Sequence, residues 1–392
     1  MTPADQPISP RRPGRALTLE QPSVSRRRRR EEGARSPRHA AKSDAGRLLA
    51  LDAARGVALA GMVIINVGPV KVNGLLDRLY LAPYGRASIL FVLVAGISMT
   101  FFLRSRRRDA RRWPTLVWRS VLFLFGGLLM QSLTPEVSVI LPMYGVLFVL
   151  ALAVQRLPRQ ALLGLAVAMA ALGPAVIVTH ETLDGHGQHF TTAPTIAAPI
   201  RGIAHSVLLS GPYPVLAWVV PFLIGMWVAG LDLSSRVTLN AMIAWGALLT
   251  TTGLAGAVVG PALTGRTDGY AKLLTGAAHG QMPLWLVSSI SGAVCAVAVF
   301  LRSWHVIGRY CGLLVTAGQM ALSLYVVHFL IIAVTTRADT RAIGVVMSTA
   351  LITALLAFAH VWLRLSDIGP LERVIRAAWL RRVSGPPRRA RA

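Results

Sequence analysis

Apolar runs long enough to cross a bilayer recur from Leu51 almost to the C-terminus, separated by short polar or basic breaks. The pattern predicts about ten spanning helices, over residues 51–69, 85–103, 117–134, 138–155, 160–179, 207–230, 239–259, 283–301, 312–333 and 342–363. Most of them contain no Asp, Glu, Lys or Arg. The sixth holds Pro214 and Pro221, which predict a kink or a break, and the fourth is short and carries Pro142. The expected fold is therefore all-α, a polytopic membrane protein. Residues 1–47 are rich in Pro, Ser and Arg and too poor in apolar groups to offset chain entropy, so they predict a disordered basic tail. Residues 48–376 form the transmembrane domain in this reading, and 377–392 a second basic tail.

Composition agrees with a membrane protein. Of 392 residues 54% are hydrophobic, and the mean hydropathy is +0.56. Forty-one Lys and Arg face 16 acidic residues, a formal charge of +25. In a soluble chain that excess would point to nucleic acid. Here it lies in tails and loops, no nucleic-acid recognition motif accompanies it, and membrane lipid is the expected partner instead. Most of the basic residues fall on the N-terminal side of the predicted topology, with RSRRRDARR at 104–112 the densest loop. The positive-inside rule then places both termini in the cytoplasm and the chain in the plasma membrane. The run Arg26–Arg30 would either touch anionic headgroups or be a solvated, topology-setting tail. Cys295 and Cys311 lack zinc-site spacing and are far apart, so they read as buried thiols.

Against this background, hydrophilic residues inside spans carry the functional signal, because each is costly in lipid unless it faces protein or water. The first span reads LDAARGVALAGMVIINV. Arg55 and Asn66 lie about three helical turns apart on one face, and Asp52 stands one turn before Arg55, where an ion pair is expected. Arg86, at the start of the second span, would flank one pocket with Asn66, and Asp77 would pair with Arg78 or Arg86. The ninth span, GQMALSLYVVHFLI over 318–331, brings Gln319, Ser323 and Tyr325 near its middle and His328 toward its end. Histidine side chains ordinarily titrate near neutrality, so His328 is a candidate base, with His279, in AAHGQMP, a second. Tyr144, in LPMYG, and Tyr213, in GPYP, would line the mouth or serve as aromatic-belt anchors. No Walker loop, nucleophile elbow or HExxH motif occurs, and the histidines of loop 180–206 lack a zinc-ligand pattern, so no metal is expected.

The segment RLLALDAARGVALAGMVIINVGP at 47–69 resembles the first-helix signature of the DUF418 (YeiB-like) membrane proteins. It is also similar to the heparan-alpha-glucosaminide N-acetyltransferase and acyltransferase-3 families, in which an Arg is followed by His or Asn at the spacing of Arg55 and Asn66. GRASILFVLVAGIS at 85–98, ILPMYGVLF at 140–148, GPYPVLAWVVPFLIGMWVAGLDL at 211–233, GQMALSLYVVHFLI and GPLERVIR at 369–376 follow in the family order. The resemblance implies a multi-helix membrane acyltransferase. Such an enzyme takes an acyl group, acetyl included, from cytoplasmic acyl-CoA as co-substrate, with no cofactor. The acceptor would be an extracytoplasmic envelope glycan, lipid or small molecule. Within that implication Asp52, Arg55, Asn66, Arg86, Tyr144, Tyr213 and Gln319 bind donor or acceptor, and His328 or His279 is the base. Asn66 stands where acyltransferase-3 proteins have His, and an amide cannot act as one. The residues alone leave two other readings open, a small-solute transporter and a non-catalytic membrane protein.

Overall fold

A computed structural model describes residues 37–69, 74–104, 112–183, 193–277, 279–335 and 337–376. Contacts divide the chain into Met1–Ala45 and Gly46–Ala392, and the architecture below is that of the second unit. Among the described residues every regular element is helical. The first six are α1 (Pro37–Val67), α2 (Leu75–Tyr80), α3 (Arg86–Arg104), α4 (Arg112–Leu133), α5 (Leu141–Val154) and α6 (Arg159–Leu183). Next come α7 (Ile200–His205), which runs into a π-helical turn at Ser206–Ser210, and α8 (Val215–Val228). The chain continues through α9 (Arg236–Thr264), a 3-10 turn at Gly269–Leu274, α10 (Pro283–Ile307), α11 (Gly312–Gln319), α12 (Ala321–Val334), α13 (Arg341–Leu365) and α14 (Pro370–Ile375). Helix α1 starts at Pro37, inside the stretch expected to be disordered. The Arg26–Arg30 run, most of the 104–112 loop, His186, His189 and the tail 377–392 lie outside the described residues.

All ten predicted segments are helical, but they are not ten equivalent spans. Among the described residues seven helices are long and apolar enough to cross a membrane singly, and two further spans arise only as bent pairs. The remaining one, α5, has 14 residues, short of the ~20 a straight span requires. The α7–α8 pair bends by 57° across Gly211–Pro214, where the sequence predicted a break, while Pro221 is accommodated inside α8. The α11–α12 pair bends by 84° at Met320, and this break was not predicted.

Residues far along the chain explain it. Restarting a helix at Ala321 leaves its first N–H groups without intrahelical partners. The Glu372 carboxylate supplies them: Oε1 accepts from the amides of Leu322 and Ser323 at 2.8 and 3.0 Å, and Oε2 accepts from the Ser323 hydroxyl. Ser323 Oγ in turn accepts from the Leu371 amide at 3.1 Å, locking α14 to the break. An anion at a helix N-terminus also meets the positive end of the helix dipole.

The core is built on α3 and α8, which pack on each other, with α6 also against α8. Their Leu93, Ile97, Trp218, Phe222 and Leu223 are fully buried. At the periphery α9 pairs with α10, and the apolar windows of α9 and α13 are only 17% and 22% buried. Those faces meet lipid, in which exposed apolar side chains carry no penalty. Helix α1 is drawn close to α11, because a Cβ at Gly318 would collide with the Asp52 carbonyl. Only glycine permits that approach, and it brings the Gly318 carbonyl within reach of Arg55.

Replacing Glu372 with Ala should strand the two amides and destabilise the protein by about 1–3 kcal/mol, with Glu372→Gln milder. Thermal unfolding of purified variants in one detergent measures this. An unchanged midpoint for Glu372→Ala would rule out the cap.

Candidate functional site

The polar residues of the spans fall into two cavities at opposite ends of α1. In the first, Arg55 Nη1 donates to Asp52 Oδ1 at 2.6 Å and to the Gly318 carbonyl at 3.2 Å, and Nη2 donates to Ser98 Oγ at 2.8 Å. The expected Asp52–Arg55 ion pair is therefore present, and both side chains keep about a fifth of their surface exposed. The cavity beside them has a volume of about 230 Å³ and is lined by Arg55, Ser98, Arg119, Tyr144, Gln319 and Glu372 among others. Tyr144 lies in its wall with its hydroxyl buried and without a hydrogen-bond partner among the described residues.

The second cavity, also about 230 Å³, is lined by Asn66, Ser88, Tyr213, His279, Glu136 and Arg337 among others. His279 is boxed by rings, with Tyr84, Tyr213, Trp218 and Trp285 at centroid distances of 4.8, 5.4, 5.7 and 6.1 Å. Burial among these rings disfavours the charged imidazole and lowers its pKa to about 4, so the ring is neutral at ordinary pH although one edge still faces the cavity. His279 and Gln281 both have left-handed backbone, with φ of 57° and 59°, a conformation that costs energy for residues other than glycine. Two constraints hold it. Gln281 Nε2 donates to the Pro212 carbonyl at 3.0 Å. Gly85, at φ 70°, lies so close to the His279 and Trp285 rings that no Cβ fits there.

The two cavities share Tyr325. The Ile140 amide donates to its hydroxyl oxygen at 3.1 Å, and among the described residues no acceptor takes the phenolic proton. His328 sits behind this wall. It is fully buried, its Nε2 lies 3.2 Å from Asn66 Nδ2 and its Nδ1 lies 3.4 Å from the Leu324 carbonyl. If Asn66 donates, Nε2 is the acceptor and Nδ1–H faces Leu324, so both ring nitrogens are engaged.

The residues that the sequence singled out do not share one pocket. Arg55 and Gln319 line one cavity, Asn66, Tyr213 and His279 the other, and His328 lines neither. The reason is geometric: three helical turns along α1 exceed the width of one small cavity, and Tyr325 fills the space between. Arg86 does not join Asn66; its guanidinium donates to the Ala82 carbonyl at 3.4 Å. Asp77 pairs with Arg341 at 2.8 Å instead of Arg78 or Arg86. Tyr325, Arg337, Glu136, Arg119 and Glu372 belong to the cavity walls although the sequence did not single them out as a site. Only Tyr325 and Glu372 carried a signal, a hydroxyl in mid-span and a lone acid in the GPLERVIR segment. Arg337 closes the end of α1, donating to the Ile65 and Gly68 carbonyls, each at 2.8 Å.

The family model described as heparan-alpha-glucosaminide N-acetyltransferase, catalytic, matches residues 47–255, more than half of the chain. The chain belongs to that family. A second model, for a protein of unknown function termed DUF418, matches residues 240–382. No curated protein matches the chain. The acetyltransferase match contains Arg55, Asn66, Tyr144 and Tyr213, and the DUF418 match contains His279, Gln319, Tyr325 and Glu372, so each cavity is walled by both segments. In this member of a membrane acetyltransferase family, the Tyr325 phenol divides the Arg55 cavity from the His279 cavity.

The His279 environment has a pH signature. The unfolded chain takes up a proton near 6.5, whereas folded His279 does so only near 4. The unfolded state binds more protons in between, so this group's contribution to stability is full above 6.5 and is lost as pH falls toward 4. Unfolding midpoints between pH 7 and pH 4 should therefore fall less steeply for His279→Gln than for the parent, and parallel curves would contradict the burial described.

Proposed function

We propose that this protein transfers an acyl group, acetyl foremost, from acyl-CoA in the Arg55 cavity to a hydroxyl or amine in the His279 cavity. The observation that carries this reading is Tyr325, one side chain forming a wall of both cavities, whose hydroxyl accepts from Ile140 and donates to no group among the described residues. Basic residues gather at the Arg55 end, which supports a reading in which that end, both termini and the CoA donor are cytoplasmic and the membrane is the plasma membrane. The acceptor then lies on the extracytoplasmic side, as an envelope glycan, lipid or small molecule.

Each step falls to a named group. Arg55, with Asp52, Ser98 and Gly318 fixing its fork, and Arg119 draw the anionic donor to the mouth. The Tyr325 hydroxyl donates to the thioester oxygen and stabilises the charge that develops there. Neutral His279 accepts the acceptor's proton as its oxygen or nitrogen attacks the acyl carbon. Coenzyme A leaves as the thiolate and is protonated to the thiol. Asn66, with its amide nitrogen engaged by His328, offers Oδ1 to orient the acceptor. His328 thereby positions Asn66 and is not itself the base.

Purified protein in proteoliposomes should release free thiol from acetyl-CoA when an envelope extract is supplied, with label appearing in the extract. Tyr325→Phe should lower kcat by about 10²-fold, the scale of one lost oxyanion donor, with little change in donor affinity. His279→Ala should lower kcat similarly, while His328→Ala should mainly weaken acceptor binding. No thiol release with any envelope fraction would sink the proposal. A transporter reading draws on the two broken spans, which recur at solute sites in carriers. Solute flux without chemical change would select it.

A further inference from the structure

At the same end of the bundle as Arg55, but beyond the cavity that holds it, lies a larger concavity of about 430 Å³. It is lined by Arg104, Arg156, Arg159, Trp113 and Gln155 among others, and no acidic residue contributes to its described walls. Three arginines converge here from three places: the last turn of α3, the α5–α6 connection and the first turn of α6. Two of them meet over Gly230, where Arg159 Cδ and Arg104 Nη2 lie 3.3 and 3.7 Å from the position a Cβ would take.

Neutral groups hold these side chains in place. Arg104 Nη1 donates to the Ala229 carbonyl at 3.3 Å, and the Arg159 guanidinium lies over the Trp227 ring, 5.0 Å from its centroid. Neither contact neutralises charge. Among the described residues none of the three guanidinium groups forms an ion pair. Like charges gathered this closely repel one another, and an anion between them removes the repulsion. Fixed guanidinium forks match the oxygens of phosphate, and basic pockets between membrane helices suit phosphate headgroups.

We propose that the Arg104–Arg156–Arg159 cavity is a phosphate-binding site, separate from the acyl-transfer path. The phosphate belongs either to the headgroup of an anionic phospholipid, which slides in from the facing leaflet, or to a soluble phosphate compound from the aqueous side. Trp113 at the rim suits the interfacial depth that a headgroup occupies.

The full chain, purified in neutral detergent, is titrated in separate arms with phosphatidylglycerol, phosphatidylcholine and ADP, with binding and unfolding midpoint as readouts. Phosphatidylglycerol or ADP should raise the midpoint, phosphatidylcholine should not, and rising salt should weaken the effect. Arg156→Gln/Arg159→Gln should weaken the active ligand at least tenfold. Arg156→Gln alone, at an exposed side chain with no hydrogen bond or ion pair among the described residues, should weaken it severalfold even if the double variant folds poorly. A response confined to phosphatidylglycerol assigns the site to lipid, and one confined to ADP assigns it to a soluble phosphate. No response to either, or one equal in parent and Arg156→Gln, overturns the proposal.

Discussion

The Glu372 carboxylate on the first amides of α12 is the contact from which the rest of the site follows. A bilayer offers no water to backbone groups that leave a helix, so a span breaks only where protein takes over their hydrogen bonds. The break at Met320 exists because an acid from α14 does so. With the helix broken there, Gly318 presents its carbonyl to Arg55, and α12 sets off at a new angle that carries Tyr325 between the cavities. A continuous ninth span could not serve both positions. The last short helix of the described chain is thus an architectural part of the centre.

The same logic of satisfaction governs α1. Its Arg55 is acceptable in a span because Asp52, Ser98 and a carbonyl surround it, and its final carbonyls are closed by Arg337. Between these ends Asn66 and His328 satisfy one another. Each polar group along the helix is matched by a different neighbour, which is why one stripe of residues feeds two pockets instead of one.

The helical class and the positions of the ten segments were legible because apolar length is set by bilayer thickness and needs no tertiary information. Pro214 likewise announced its break, since proline removes a donor wherever it stands. The Met320 break was not legible, because its cause lies at Glu372, about fifty residues away in sequence. Arg55, Asn66 and His279 stood out as costly groups in apolar surroundings. Their partition between cavities depends on what lies between them, and periodicity along one helix carries no record of the neighbouring helices. Arg337 and Glu136 lie in loops, where charge is ordinary, so nothing marked them as wall residues.

The tether from Gln281 to the Pro212 carbonyl ties together two segments with different duties. Pro212 belongs to the elbow between α7 and α8, whereas Gln281 is two residues from the imidazole boxed by four rings. Any flexing of that 57° elbow pulls on a loop already held in a costly backbone geometry. The tilt of one half-span and the placing of the boxed imidazole are thus joined through a single hydrogen bond, so the elbow and the ring cage form one mechanical unit.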